Sequence, residues 1–317
     1  MNATAIANPN IALVKYWGKR ERTLNLPAVP SLSVTLAPFE TRTQVTWGAA
    51  ADEFIINGTL ATGDSFVRIS DFLDLVDPAR PRVAVESNNN FPTAAGLASS
   101  SSAFAALALA ATAAAGKSPS TADLSVLARQ GSGSASRSLW GGFVSWSMGA
   151  QADGKDSHGH PVADEDHWDL RVLVALVSDE QKAISSRAGM NRTQETSPLF
   201  SGWVDSAAFD VDEAVAAIIA KDLERLGTVM EHSTMKMVAT MFSARPAVVY
   251  MKPATVAVLH TVQALRAQGV PAWTTMDAGP NVKVLTTPDA ASTVEAALLE
   301  HVSTVHALHV GGPARLV

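Results

Sequence analysis

Apolar and polar residues alternate with a period near two over residues 31–36 and 41–47, and β-branched side chains are frequent there, so both stretches are expected to be strands. A third short strand, 54–58, ends in the turn dipeptide Asn57-Gly58. A helical period follows at 66–75, a strand at 82–86, and an alanine-rich helix over the apolar run 103–115. Ser120-Thr121-Ala122-Asp123 resembles a capping box and opens a helix ending at Gly131. The polar stretch 151–169 contains His158, His160 and His167, but their spacing matches no familiar ligand pattern, and an exposed loop is expected. Residues 170–177 are a near-continuous apolar strand. From residue 210 the helices lengthen: one is capped by Asp210, one runs over 221–242, and one over 253–268 starts near Pro253 and stops before Gly269. Strands 272–276 and 282–286 flank the turn Asp277-Ala278-Gly279-Pro280-Asn281, and a helix at 290–301 and a strand at 305–310 complete an α+β unit of the split βαβ kind. No internal repeat is visible.

At 317 residues, with 47% hydrophobic and 17% charged residues, the chain is long enough for one large or two ordinary domains. A formal net charge of -6 argues against a nucleic-acid or anionic-membrane partner, since both select for basic surface. The absence of cysteine excludes disulfides, thiolate nucleophiles and Cys-containing metal sites. The first residues lack the basic-then-apolar pattern of a signal peptide, and the run 103–115 is too short for a membrane span, so a cytoplasmic location is expected.

Against this acidic background three segments concentrate chemistry. Lys15, Tyr16, Trp17, Gly18, Lys19 and Arg20 close the apolar run 11–14 with a cationic cluster fit for a polyanion, although a solvated strand end has the same composition. The loop 92–102 joins Gly96, Leu97 and Ala98 to Ser99, Ser100, Ser101 and Ser102 at a helix start. Unpaired backbone donors and the positive end of the helix dipole favour phosphate there. No Lys follows Gly96, which disfavours a Walker-type site, and a serine-capped core helix reads the same. The third segment, 131–142, holds four glycines, four serines and Arg137, whose planar fork suits a carboxylate or phosphate. Its large apolar residues, among them Leu139 and Trp140, distinguish it from a flexible linker. Lys182, Ser185, Ser186 and Arg187 form another cationic and hydroxyl cluster. Asp277 is the one carboxylate in its turn; it reads as catalytic or simply as good turn chemistry, and spacing does not separate the two.

Taken together, the segments 8–20, 88–100, 131–142, 185–190, 230–237 and 276–281 resemble, in this order and over almost the whole chain, the mevalonate diphosphate decarboxylase family of the GHMP kinase superfamily. The Lys-Tyr-Trp-Gly-Lys-Arg run and the Asp-Ala-Gly-Pro-Asn turn carry the decarboxylase likeness, whereas Gly-Leu-Ala-Ser-Ser is shared with sugar and mevalonate kinases. Ser136 stands where many members have Cys. The resemblance implies a two-domain α+β GHMP kinase fold, with a ribosomal protein S5 domain 2-like part over 1–183 and a ferredoxin-like part over 184–317. It implies ATP-dependent, Mg²⁺-assisted conversion of mevalonate 5-diphosphate to isopentenyl diphosphate, ADP, phosphate and CO2, in a homodimer. Under it Asp277 orients or deprotonates the 3-hydroxyl, Arg137 holds the carboxylate, and Lys182 neutralises developing charge. Lys15, Tyr16, Lys19, Ser132, Ser134, Ser186 and Arg187 hold the substrate's diphosphate end; Asn88, Gly96, Leu97, Ala98, Ser99, Ser100 and Ser101 hold the nucleotide, with Ser100 beside the metal. A phosphomevalonate decarboxylase and a mevalonate 3-kinase are the neighbouring readings. A non-catalytic phosphate-binding protein would be expected to have lost Asp277 or the serines, and both are present.

Overall fold

The structure, a computed structural model, describes residues 1–91, 99–180 and 182–317. Among these the strands gather into two large sheets and a short ribbon. The first sheet runs in the order Arg315–Leu316, Asn2–Ala7, Thr41–Trp47, Val83–Asn89, Glu53–Ile56, Thr59–Leu60. Thr41–Trp47 shows what the period of two encodes: Thr41, Thr43, Val45 and Trp47 are buried while Arg42 and Gln44 face solvent. Helix Ser99–Ala114 lies against this sheet and is buried on almost every side, its alanines letting backbone approach backbone. Gly131, which ends the neighbouring helix Thr121–Gly131, is required by contact, since a Cβ there would collide with the Phe104 ring.

The second sheet spans both halves of the chain, in the order Gly159–Ala163, Phe143–Trp146, Ser31–Ala37, Val305–Val310, Arg171–Ala175, Val282–Thr286, Ala272–Met276, with Asn10–Val14 also paired to Ser31–Ala37. Leu36 and Ala37 pair with Val310 and His309, so the sheet is continuous across the chain. Arg171–Ala175 pairs on both edges with C-terminal strands, and the final strand Arg315–Leu316 returns to Asn2–Ala7 in the first sheet. Helices Phe200–Ala220 and Leu223–Phe242 bury Val211, Ala214, Ile218, Leu226 and Met230 against Ile11, Leu13 and Val14. That packing draws Asn10–Val14 into the interior and delivers Lys15 there.

The α+β class and the hairpin strands 272–276 and 282–286 match the pattern. Asp210 does not cap a helix: Phe200–Ala220 begins ten residues earlier because Trp203 and Ala207 are core residues, and Asp210, 2% exposed, pairs with Lys236 at 2.6 Å. Lys221 is the left-handed C-cap of that helix, and the next begins at Leu223 with Asp222 accepting from the Arg225 N–H. The stretch 151–169 is not merely a loop. Gly159–Ala163 is an edge strand, and buried Arg129 donates to the carbonyls of Gly154 and Ser157, pinning the preceding turn to helix Thr121–Gly131.

Candidate active site

Strand Asn10–Val14 is buried at all five positions, and the backbone N–H of Lys15 immediately beyond it donates to Ser233 Oγ on helix Leu223–Phe242. The side chain of Lys15, 1% exposed, turns its ammonium onto the Ala12 carbonyl at 2.9 Å and onto Asp277 Oδ1 at 2.8 Å. Asp277 follows strand Ala272–Met276, and its turn is fixed independently of its carboxylate. Gly279 N–H donates to the Asp277 carbonyl, Thr255 Oγ1 donates to the Pro280 carbonyl, and the Asn281 amide clasps both backbone groups of Ser178 at 3.0 Å. A second ammonium, Lys283 Nζ, reaches Asp277 Oδ2 at 3.1 Å from the fully buried strand Val282–Thr286. Burial alone would raise the Asp277 carboxyl, but the two flanking ammonium groups outweigh it and hold the group well below the usual carboxylate range. Burial lowers the Lys15 ammonium to about 8 against the opposing pull of Asp277. Some 28% of the Asp277 side chain stays exposed, so the group is held between two ammonium ions without being sealed from solvent.

Arg137 lies in the 3-10 turn Gly133–Arg137, which the Gly/Ser composition of the segment allows to be tight. The guanidinium is 1% exposed and donates from Nε to Ser33 Oγ at 3.0 Å, from Nη1 to Ser31 Oγ at 2.6 Å and from Nη2 to Asn10 Oδ1 at 3.3 Å. Among the described residues three of its five N–H donors are thus committed to polar strand positions, and the ion is preorganised for a planar anion. Burial lowers it to about 10. The Asn10 amide also donates to the Ser134 carbonyl and to Ser138 Oγ, tying turn to strand. Tyr16 leans on Trp146 at 4.8 Å, and burial raises its phenol.

The hydroxyls converge in part. Ser100, near the start of helix Ser99–Ala114, lies 3.1 Å from Ser132 Oγ, which lies 3.4 Å from Ser134 Oγ, so the serine helix and the Gly/Ser segment form one hydroxyl cluster. Ser99 is half-buried, its carbonyl accepting from Ser102 Oγ. Ser101 is fully buried and accepts from the Asn10 N–H, so that hydroxyl works inside the helix–strand contact. Asn88 is exposed on strand Val83–Asn89 with its amide on Glu86. Gly96, Leu97 and Ala98 lie outside the described residues.

Lys19, Arg22 and Arg187, with Asn25, Gln130 and Asn191, line a cleft of about 230 Å³. Burial lowers the Lys19 ammonium to about 8, helped by Arg187, Arg68 and Arg22. Like charges gathered this closely cost free energy that a bound polyanion offsets. Lys182 donates to the Ala278 carbonyl at 2.6 Å and to Ser186 Oγ at 3.0 Å, which joins the cluster of Lys182, Ser185, Ser186 and Arg187 to the Asp277 turn. Its ammonium is lowered by burial. Among the described residues no group of three or more His, Cys, Asp or Glu side chains could hold a metal ion. The hydroxyl cluster of Ser100, Ser132 and Ser134 fits Mg²⁺, which keeps waters and takes most remaining ligands from phosphate.

Lys283, Asn10, Ser31, Ser33, Asn25 and Arg68 also belong to the site, although no motif singles them out. A signal for Lys283 existed, since a lone lysine between Val282 and Val284 in an apolar strand is too costly to bury without a partner. Ser31 and Ser33 are ordinary residues of an alternating strand; nothing local marks them as supports for Arg137.

Residues 7–159 match the diphosphomevalonate decarboxylase-like N-terminal domain, and residues 172–310 match the mevalonate 5-diphosphate decarboxylase C-terminal domain. The chain is 39% identical to the diphosphomevalonate decarboxylase of Aspergillus fumigatus, over 89% of this chain and 76% of that protein, and 36% identical to the human one, over 93% and 79%. The mevalonate diphosphate decarboxylase structure from Staphylococcus aureus is 37% identical, with a TM-score of 0.94 over 100% of this chain and 98% of that one. A structure described as MDDEF in complex with MVAPP, AMPPCP and magnesium is 40% identical, with a TM-score of 0.93 over 100% and 99%. The same two halves, in the same order and joined by one sheet around the Lys15–Asp277 pair, place this chain in the diphosphomevalonate decarboxylase family, on the GHMP kinase fold.

Proposed function

We propose that the protein carries out ATP-dependent decarboxylation of mevalonate 5-diphosphate to isopentenyl diphosphate, ADP, phosphate and CO2. The observation that carries this reading is a charged, partly exposed carboxylate, Asp277, paired with Lys15 and Lys283 and within the electrostatic reach of Arg137 and Lys182. The named relatives and the MVAPP–AMPPCP–magnesium complex support it.

Asp277 accepts a hydrogen bond from the tertiary 3-hydroxyl and holds its oxygen toward the γ-phosphorus. That oxygen bonds to phosphorus as the bond to ADP breaks. The 3-phosphate then leaves with the C–O electron pair, and the electrons of the C1–C2 bond become the alkene as CO2 departs. Arg137 holds the carboxylate so that the C1–C2 bond stays aligned with the leaving group. Lys182 offsets negative charge growing beside the Ala278 carbonyl. Tyr16, Lys19, Ser132, Ser134, Ser186 and Arg187 grip the diphosphate end, and Ser99 and Ser100 contact nucleotide phosphates. Mg²⁺, when bound beside Ser100, supplies charge neutralisation on those phosphates.

CO2 and ADP release, measured side by side with mevalonate, its 5-phosphate and its 5-diphosphate, tests the reading. Release with the 5-diphosphate is expected, and release with the monophosphate alone, or ADP without CO2, overturns it. The homodimer and the cytoplasmic location belong to the same proposal; among the described residues no helix is long and apolar enough to cross a membrane, and sedimentation of the purified chain checks the first. We also propose a domain division between 164 and 170, earlier than 183, because Arg171–Ala175 pairs only with C-terminal strands among the described residues.

A further inference from the structure

We propose that Lys283 is a positioning residue of this reaction: by holding Oδ2 of Asp277 while Lys15 holds Oδ1, it fixes the carboxylate as a permanently charged acceptor that aims the 3-hydroxyl, instead of a base that keeps its proton. The proposal rests on the reaction read above.

Lys283 is 1% exposed at the second position of a strand whose five residues are all buried. An ammonium there carries a desolvation cost that an apolar residue would avoid, so its retention calls for a use. Shaping the turn is not that use, because the Asn281 clasp on Ser178 and the Thr255–Pro280 hydrogen bond already do so. What Lys283 adds is a second ammonium at 3.1 Å, opposite Lys15 at 2.8 Å. The carboxylate can then neither rotate nor collapse onto Lys15 alone, and each of its oxygens has a lone pair beyond the one its lysine takes, on a side chain that is 28% exposed.

The charged and titratable groups facing Asp277 come from several elements. Lys15 extends from strand Asn10–Val14, Lys283 from Val282–Thr286, Lys182 from the segment before helix Ser186–Thr196, and Arg137 from the 3-10 turn. Tyr250 and Asp277 line one small hollow, and burial raises the Tyr250 phenol to about 12, so it is neutral. A general base works best with its pKa near the working pH, and a carboxylate flanked by two ammonium groups is far below it. Phosphoryl transfer with a loose transition state asks little of a base early. As the oxygen–phosphorus bond forms and the bond to ADP breaks, the hydroxyl proton leaves its hydrogen bond with Asp277 and passes to solvent.

The test is the pH dependence of kcat/KM for mevalonate 5-diphosphate in the parent, Lys283→Met and Lys283→Arg. The parent is expected to lack an acid limb above about pH 5. Lys283→Met is expected to lose about tenfold or more in kcat with KM within a few-fold. Its acid limb should enter the range of about pH 5–7, because Asp277 has lost one of its two counter-charges, and its basic limb should move above about 8, because Lys15 no longer faces a second ammonium. Lys283→Arg should restore both limbs. Parental limbs in Lys283→Met overturn the proposal whatever its stability. If Lys283→Met does not fold, the parent profile and Lys283→Arg decide: a parental acid limb above about pH 5, or an active Lys283→Arg with both limbs displaced, overturns it. Failure of the parent to release CO2 from the 5-diphosphate sinks the functional reading itself and is distinct from all these outcomes.

Discussion

Lys15 and Asp277 lie 262 positions apart and meet at 2.8 Å, with Thr275 Oγ1 on the Ala12 carbonyl at 3.4 Å holding their strand ends side by side. The pair is therefore both a chemical centre and a joint between the halves of the chain. A turn shaped by Gly279 and Pro280 alone leads to the expectation that Asp277 matters for chemistry and hardly at all for stability. The two buried ammonium groups on its carboxylate change the second half of that expectation.

Asp277→Asn should lower kcat by roughly 10²-fold or more while nucleotide affinity changes little, since the amide fills the space but loses the charge that orients the hydroxyl. It should also cost roughly 1–3 kcal/mol of stability, the range for leaving buried polar groups short of a partner; the partial exposure of Asp277 argues against a larger figure. Turnover together with the denaturant midpoint checks both, and parental turnover defeats the mechanism.

The pH profile of the parent follows from two buried lysines, Lys15 and Lys19. Burial brings Lys15 and Lys19 to about 8, below the ordinary lysine value, so both charges are present at neutral pH and are lost as pH rises through 8. Because kcat/KM reports the free enzyme, it should fall above about pH 8, while kcat falls later once a polyanion raises both groups. In stability the sign is opposite: the unfolded chain keeps these protons up to its higher pKa, so between about 8 and 10.5 both groups make folding more favourable as pH rises. A kcat/KM flat to pH 10 contradicts this account.

Much of the fold is legible because its signals are local. The strands over 272–276, 282–286 and 305–310 carry apolar runs between strong turns, and the serine cap and Pro253 mark helix starts. Asp210 misled because an acidic residue before an apolar helical run imitates a cap, and only the packing of Trp203 shows that the helix has already begun. The site divides similarly. Asp277, Arg137 and Lys15 stand out as charges in Gly-rich or apolar contexts, whereas Ser31, Ser33 and Asn10 acquire meaning only when Arg137 arrives from more than a hundred residues away.

Arg137→Lys should retain the fold and lose roughly 10–10²-fold in kcat/KM. An ammonium reproduces the charge but not the fork that joins Ser31, Ser33 and Asn10 at once, and losing hydrogen bonds to a charged group costs about 1.5–3 kcal/mol. Restoration of turnover by lysine alone would show that charge suffices and remove the planar grip from the mechanism.

Ser100→Ala tests the hydroxyl cluster. Ser100 Oγ is half-buried and contacts Ser132 Oγ, so its removal leaves no large cavity and should cost little stability. The KM for MgATP should rise several-fold, with a smaller change for mevalonate 5-diphosphate. Equal nucleotide kinetics in variant and parent would take Ser100 out of the phosphate site.

Gly133 offers the sharpest steric test, because its backbone angles suit any residue and only contact forbids a side chain. A Cβ there would lie 2.8 Å from the Tyr16 hydroxyl and 3.0 Å from both Tyr16 Cε1 and Trp146 Cη2, distances at which something must shift. Trp146 is buried without exposure in the sheet and cannot readily retreat, whereas Tyr16 is half-buried at the edge of the site and can. Gly133→Ala should therefore displace Tyr16, raising KM for mevalonate 5-diphosphate several-fold while kcat and the thermal midpoint change less. Tyr16→Phe alone removes the hydroxyl and should raise KM modestly. In the double variant the closest contact is gone, so the two effects should combine to less than their product, the signature of residues in contact. Measured KM values for the parent, both single variants and the double variant close this cycle. Effects that multiply would mean that Gly133 acts on the site by a route other than Tyr16.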